Sequence, residues 1–216
     1  MLDPARRNAS MTDPGDTLAA ARFGPLLEQL AARTPAPGGG AAASMTAGIA
    51  AALAGMVISY SIGAKGLDAH EAALRTLDAQ LRAARQDALE LADEDAAAFR
   101  ALQAMWKLPA DDPGRTAHEP AAVIRATEAP ARVLDLAARL AEICRSLKDR
   151  SNPRLVSDLV IAAILADAAA HAAAWNIRIN LPGLPDEASR VRYTGRIDRA
   201  LRTTADARRA LETHAA

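Results

Sequence analysis

Apolar residues recur along most of this chain at three- and four-residue steps, and no segment of convincing length alternates singly as a half-buried strand would. Phe23, Leu26, Leu27 and Leu30 line one side of a short predicted helix. The next stretch differs in kind. Between Arg33 and Lys65 no residue is charged, and Gly40, Ser44, Gly48, Ala51, Gly55 and Ser59 fall along one narrow helical face. Residues this small let another backbone come close. Ile49, Leu53, Met56, Val57 and Ile58 make the other sides apolar too, so the helix is expected inside a helical protein. A membrane span is the rival by length, but Ala, Gly and Ser give it little transfer energy.

Gly63-Ala64-Lys65-Gly66 breaks the pattern, and Asp68 is placed as the cap of a long helix reaching Lys107, stopped by Leu108-Pro109. Leu74, Leu81, Ala88, Asp95 and Leu102 form one seven-residue series in it, and Leu77, Ala84, Leu91, Ala98 and Met105 form the companion. Residues 110–120 read as a polar turn and 121–148 as a helix, where Pro130 frees the carbonyl of Ala126 and predicts a kink. Ser151-Asn152-Pro153 marks a turn, Val156 to Asn176 an Ala-rich helix, and Asp186 the start of a polar final helix after Leu181-Pro182-Gly183-Leu184-Pro185. The expected fold is all-α: a compact bundle of five to six helices around the central Ala/Gly-rich one. Residues 1–17 read as a disordered leader, with Met11 as an alternative start, and 18–216 as a single domain.

Composition narrows the picture. Aromatic residues make up only 3% of the chain, so alanine supplies much of the interior and favours closely packed helices. Twenty-six basic residues balance 26 acidic ones, which gives no support for a nucleic-acid or acidic-membrane partner. Cys144, the single cysteine, excludes an internal disulfide and suits a reducing, cytoplasmic setting.

Asp95 is the sharpest chemical signal, because the equivalent positions of its series are all apolar. A carboxylate there must be hydrogen-bonded, paired or shifted in pKa, and both a site role and a bond to a neighbouring helix end fit. Pro35 and Pro37 hold an extended approach to Gly38-Gly39-Gly40, whose backbone N–H groups open a helix and suit an anionic or carbonyl ligand. Lys65 stands in a glycine-flanked turn, and Lys107 ends the Asp95 helix; both also fit plain helix C-terminal charges. Asp158 and Asn176 share one helix face at its opposite ends, while Asp167 and His171 pair as i, i+4 without the companions a metal needs. Ser44 has no base at recognisable spacing, and neither a nucleophile elbow nor a nucleotide loop is present.

Four blocks together resemble the cyclodeaminase/cyclohydrolase family acting on one-carbon tetrahydrofolates, from about Phe23 to Leu184. They are Thr34-Pro35-Ala36-Pro37-Gly38-Gly39-Gly40; Asp95-Ala96-Ala97-Ala98-Phe99 with Lys107-Leu108-Pro109; Asn152-Pro153 with Val156-Ser157-Asp158; and Asn176-Ile177-Arg178-Ile179-Asn180. The chain departs from the family at Ser59-Tyr60-Ser61, at Ala64-Lys65-Gly66-Leu67 and at Ser151. The resemblance implies a folate substrate and no metal or other cofactor. It implies catalytic roles for Asp95, Lys107 and Lys65, and substrate contacts at Pro37, Gly38, Gly39, Gly40, Asn152, Asp158 and Asn176. A chain without a formiminotransferase partner points first to hydrolysis of 5,10-methenyltetrahydrofolate to 10-formyltetrahydrofolate. Cyclodeamination of formiminotetrahydrofolate is the alternative within the family, and a catalytically silent helical binding module the alternative outside it. The smooth apolar surfaces exceed what one small bundle buries, so a homodimer is expected, with no nucleic-acid or membrane partner.

Overall fold

The computed structural model describes residues 23–215, so the expected leader at 1–17 lies outside the described residues. The chain divides into two units, 1–34 and 35–216. The first contains α1 (Phe23–Ala31). The second contains α2 (Gly39–Ser59), α3 (Glu71–Trp106), α4 (Pro113–Ser146), α5 (Val156–Asn180) and α6 (Glu187–Ala215), and no strand occurs among the described residues.

Within the second unit α2, α3, α4 and α5 pack around a square in that order, each antiparallel to the next, and α6 lies along α4 and α5. The small-residue stripe explains the α2–α3 contact. The buried Ser44 hydroxyl donates to the Ala88 carbonyl at 2.7 Å, and a Cβ on Gly48 would sit 3.3 Å from that of Ala88. A Cβ on Gly55 would come within 2.8 Å of the Arg85 guanidinium. Alanines fill the interior between α2, α4 and α5, and Leu81, Leu134, Leu140, Leu159 and Ile177 close its gaps.

The segment 110–120 departs from the expected turn, because α4 begins at Pro113. Asp112 caps it, accepting from the N–H of Gly114 at 2.8 Å and of Arg115 at 3.0 Å, and Pro113 occupies a first-turn position where no N–H is needed. Pro120 sits inside the helix; it and Thr116, the carbonyl it frees, are both exposed, so solvent takes the lost bond. α5 likewise runs four residues past Asn176, to Asn180.

Candidate functional site

Pro130 removes one backbone bond in the interior of α4, and a side chain from another helix takes its place: Asn180 donates its amide to the Ala126 carbonyl at 3.0 Å. That bond ties the end of α5 to the middle of α4 beside a cavity of about 350 Å³. Gly38, Gly39 and Gly40 from the start of α2 line it, with Asp95, Phe99, Leu102 and Trp106 from α3 and Glu119, Val123 and Ala126 from α4. Asn176, Ile179 and Asn180 complete the wall from α5.

Space explains Gly40 and, less strictly, Gly39, whereas a Cβ on Gly38 would meet nothing within 4 Å. A Cβ on Gly40 would overlap the Asp95 carboxylate, and a Cβ on Gly39 would lie 3.3 Å from Oδ1 of Asn176. Gly38 caps α2 in an extended conformation and offers no side-chain cap. The N–H groups of Gly39, Gly40 and Ala41 therefore have no intrahelical acceptor and are gathered where a ligand oxygen would meet them. Asn176 donates to the Ala172 carbonyl at 3.1 Å, which turns its Oδ1 toward Gly39.

Asp95 stands at the centre. Burial pushes its carboxyl above the ordinary carboxylate range, and among the described residues it has no hydrogen-bond or ion-pair partner. Its neighbours Asp93 and Glu94 are exposed, and Glu94 pairs with Arg132. Glu119 is the second carboxylate on the cavity. Its Oε2 accepts from Arg115 Nε at 2.9 Å and its Oε1 from the Trp106 indole at 3.0 Å. The Arg115 hydrogen bond holds it below the ordinary range. One carboxyl raised and one lowered on a single cavity separates a group able to carry a proton from one that stays charged.

The other expected residues are placed elsewhere. Lys107 is the exposed cap of α3, one residue beyond Trp106, and does not line the cavity. Pro37, whose peptide bond to Ala36 is cis, stands between cavity residues without lining the cavity itself. Lys65 follows the opposite end of α2, between Gly63 and Gly66 at φ +74° and +86°. Asn152 is held at that same end: its N–H donates to Ser61 Oγ at 2.8 Å and its Oδ1 accepts from the Arg154 N–H at 3.0 Å. Asp158 lies in the first turn of α5, eighteen residues or about 27 Å from Asn176 along the helix. Asp167 lies 3.9 Å from His171 Nε2, as its i, i+4 spacing predicts, and is held more closely by Thr204 and Arg208 of α6.

Glu119 and Trp106 were not singled out from the sequence, and Asn180 appeared there only as the end of the block that begins at Asn176, with no role assigned. Glu119 had a signal in the i, i+4 pair Arg115/Glu119, hidden once 110–120 was taken for a turn. Asn180 had one in the carbonyl freed by Pro130.

The profile of a family described as formiminotransferase-cyclodeaminase matches residues 22–199. A formimidoyltransferase-cyclodeaminase of Rattus norvegicus is 29% identical over 192 residues, covering 87% of this chain. The chain spans 36% of that protein's length. The crystal structure of a formiminotetrahydrofolate cyclodeaminase from Thermotoga maritima superposes with a TM-score of 0.81 at 26% identity, covering 88% of this chain and 92% of that one.

Proposed function

Because the chain belongs to the formiminotransferase-cyclodeaminase family, we propose that it is a formiminotetrahydrofolate cyclodeaminase, closing the one-carbon bridge with release of ammonia. Its relatives' cyclodeaminase activity supports this reading over hydrolysis of the methenyl compound, the first expectation from the sequence. The observation that carries it is Asp95: a carboxyl raised by burial, without a partner among the described residues, pressed against the glycine start of α2.

The substrate carries a cationic formimino group on N5 and a secondary amine at N10. N10 adds to the formimino carbon, forming a C–N bond and a tetrahedral centre that holds both ring nitrogens and the amino group. The N10 proton must leave and the amino group must gain one before it departs as ammonia. Asp95 performs both transfers in turn, accepting from N10 and donating to the leaving amine. As a carboxylate it also attracts the cationic carbon in a site screened from water. The free N–H groups of Gly39 and Gly40 and the Asn176 amide hold oxygen and nitrogen atoms of the pterin edge. The product is 5,10-methenyltetrahydrofolate with the same charge as the substrate. No residue of the chain forms a covalent intermediate.

Incubation with 5-formiminotetrahydrofolate is expected to raise methenyl absorbance and release ammonia in equal amounts. Loss of absorbance from added 5,10-methenyltetrahydrofolate without ammonia would assign hydrolysis instead. No turnover of either folate would remove the enzyme reading.

We further propose that the functional unit is a homodimer. Ile49 of α2 and Ile161, Ile164, Trp175 and Ile179 of α5 are exposed, and the four on α5 fall on one face of that helix, a clustering that suits an interface. A two-fold axis lying in this face and perpendicular to α2 and α5 would set the Lys65, Asn152 and Asp158 end of one protomer beside the Asp95 cavity of the other, and that is the arrangement we propose. Mixing inactive Asp95→Asn and Asp158→Asn protomers is then expected to restore about a quarter of the parental rate, the share of intact sites after random re-pairing. No recovery despite exchange would leave each site within one protomer.

A further inference from the structure

Phe99 and Trp106 lie on the same face of α3 as Asp95, at steps of four, three and four residues through Leu102. Trp106 is 47% exposed and Phe99 37%, although both line the cavity. Their rings meet edge to face, with centroids 6.4 Å apart and planes at 84°. Two large aromatic surfaces are thus left half bare at a concave site in a chain that has only six aromatic residues.

The indole is not free to swing. Its N–H donates to Glu119 at 3.0 Å, and Arg115 clamps the same carboxylate with Nε at 2.9 Å and a second nitrogen at 3.3 Å. Arg115 also donates to the Leu108 carbonyl at 3.1 Å, and its own N–H is fixed by the Asp112 cap. The end of α3, the turn after it and the start of α4 are therefore joined through one side-chain chain of bonds that ends on a ring. Arg115 and Glu119 are part-buried, with side chains 21% and 28% exposed. A single i, i+4 pair on one helix still adds little to stability, so the arrangement is better explained by what it positions.

We propose that Glu119, clamped by Arg115, is a positioning residue that locks Trp106 against Phe99 as a rigid aromatic corner for stacking a flat ring of the substrate. This rests on the folate reading, in which two flat rings flank the carbon that reacts at Asp95. Phe99 is one helical turn, about 6 Å, along α3 from Asp95, and Trp106 about three turns, so the corner lies on the side of Asp95 toward the end of α3. A planar π system offers the offset or edge-on contact such a corner accepts. The p-aminobenzoyl ring and the pterin ring share that chemistry.

Trp175→Phe leaves Trp106 as the sole indole, since the chain has two tryptophans. In that background p-aminobenzoylglutamate and 6-methylpterin are titrated separately against Trp106 fluorescence. Saturable quenching by one of them is expected and identifies the ring. Glu119→Ala is expected to lower the fluorescence anisotropy of Trp106 and to raise KM for 5-formiminotetrahydrofolate about tenfold with kcat within twofold. Glu119→Gln keeps an acceptor for the indole and is expected to recover most of the KM; Phe99→Leu should move KM in the same direction as Glu119→Ala. An unchanged KM in Glu119→Ala, or quenching by neither fragment from a protein that turns over folate, overturns the proposal. Quenching by a fragment with no turnover of any folate supports the corner and removes the folate reading on which its assignment rests. Circular dichroism of each variant separates these outcomes from loss of the helical fold.

Discussion

The two ends of the antiparallel pair α2 and α5 carry similar residues and use them differently. At one end stand Gly39, Gly40 and Asn176, with Asp95 brought in from α3; at the other stand Gly63, Gly66, Asn152 and Asp158. Asn152 spends its groups on the chain itself, donating through its N–H to Ser61, donating through Nδ2 to the Tyr60 carbonyl at 3.3 Å, and accepting from Arg154. Gly63 and Gly66 serve conformation, both at positive φ. Gly39 and Gly40 serve space, because an added Cβ would meet a side chain there. Identical residue types thus hold a turn together at one end and hold a cavity open at the other. What distinguishes them is whether their polar atoms are consumed within the chain.

Asp95→Asn tests this contrast most strongly. Loss of the proton carrier is expected to lower kcat roughly 10²–10⁴-fold while helix content stays native. The same change should raise stability at neutral pH. A carboxyl whose folded-state pKa is raised favours folding when protonated, and that advantage is lost as pH rises through the folded-state value. The asparagine variant is therefore expected to melt higher at pH 7. Its gain should fade toward about pH 4, where an ordinary aspartate protonates. Equal melting at both pH values would contradict the burial cost assigned to Asp95.

Gly40→Ala comes next, since its Cβ would force the Asp95 carboxylate aside. Displacing a reacting group by about 1 Å costs on the order of 10²-fold in rate, to be read as kcat/KM. Gly39→Ala should be milder, a several-fold loss, because Oδ1 of Asn176 at 3.3 Å needs to move only slightly. Equal effects at the two glycines would mean that space is not what they provide.

Ser61→Ala probes the opposite end. Ser61 Oγ donates to the Val57 carbonyl at 2.7 Å and accepts the Asn152 N–H, and the side chain is buried. Removing it leaves that N–H unsatisfied and is expected to cost about 1–3 kcal/mol in urea unfolding. A loss of that size at this end, with a gain in Asp95→Asn at the other, would complete the contrast between a satisfied and an unsatisfied helix junction.

Much of the site was legible in the chain. The uncharged small-residue stretch implied a close backbone neighbour, and α3 is that neighbour, met at Ser44, Gly48 and Gly55. The heptad series marked Asp95 as out of place among apolar positions, and the cavity lies there. The Ala126 carbonyl freed by Pro130 was foreseen, but the Asn180 amide that fills it belongs to a helix 54 residues away. Segment 110–120 misled because Asp, Pro and Gly mark turns and helix starts alike, and only the Asp112 bonds to Gly114 and Arg115 decide between them. With the helix start went Glu119 and its hold on Trp106.

By itself the sequence determined the helices, the stripe that lets two of them touch, and the one carboxylate set among apolar positions. Those follow from periodicity and side-chain size, which act over a few turns. Tertiary structure alone decided which polar groups stay unspent. Asp95 faces Gly40, Asn176 faces Gly39, and Glu119 takes an indole from another helix, because antiparallel packing brings distant positions to one cavity. Lys65, Asn152 and Asp158 were put at the far end by the same packing, since a helix of 25 residues separates its ends by about 37 Å whatever their chemistry.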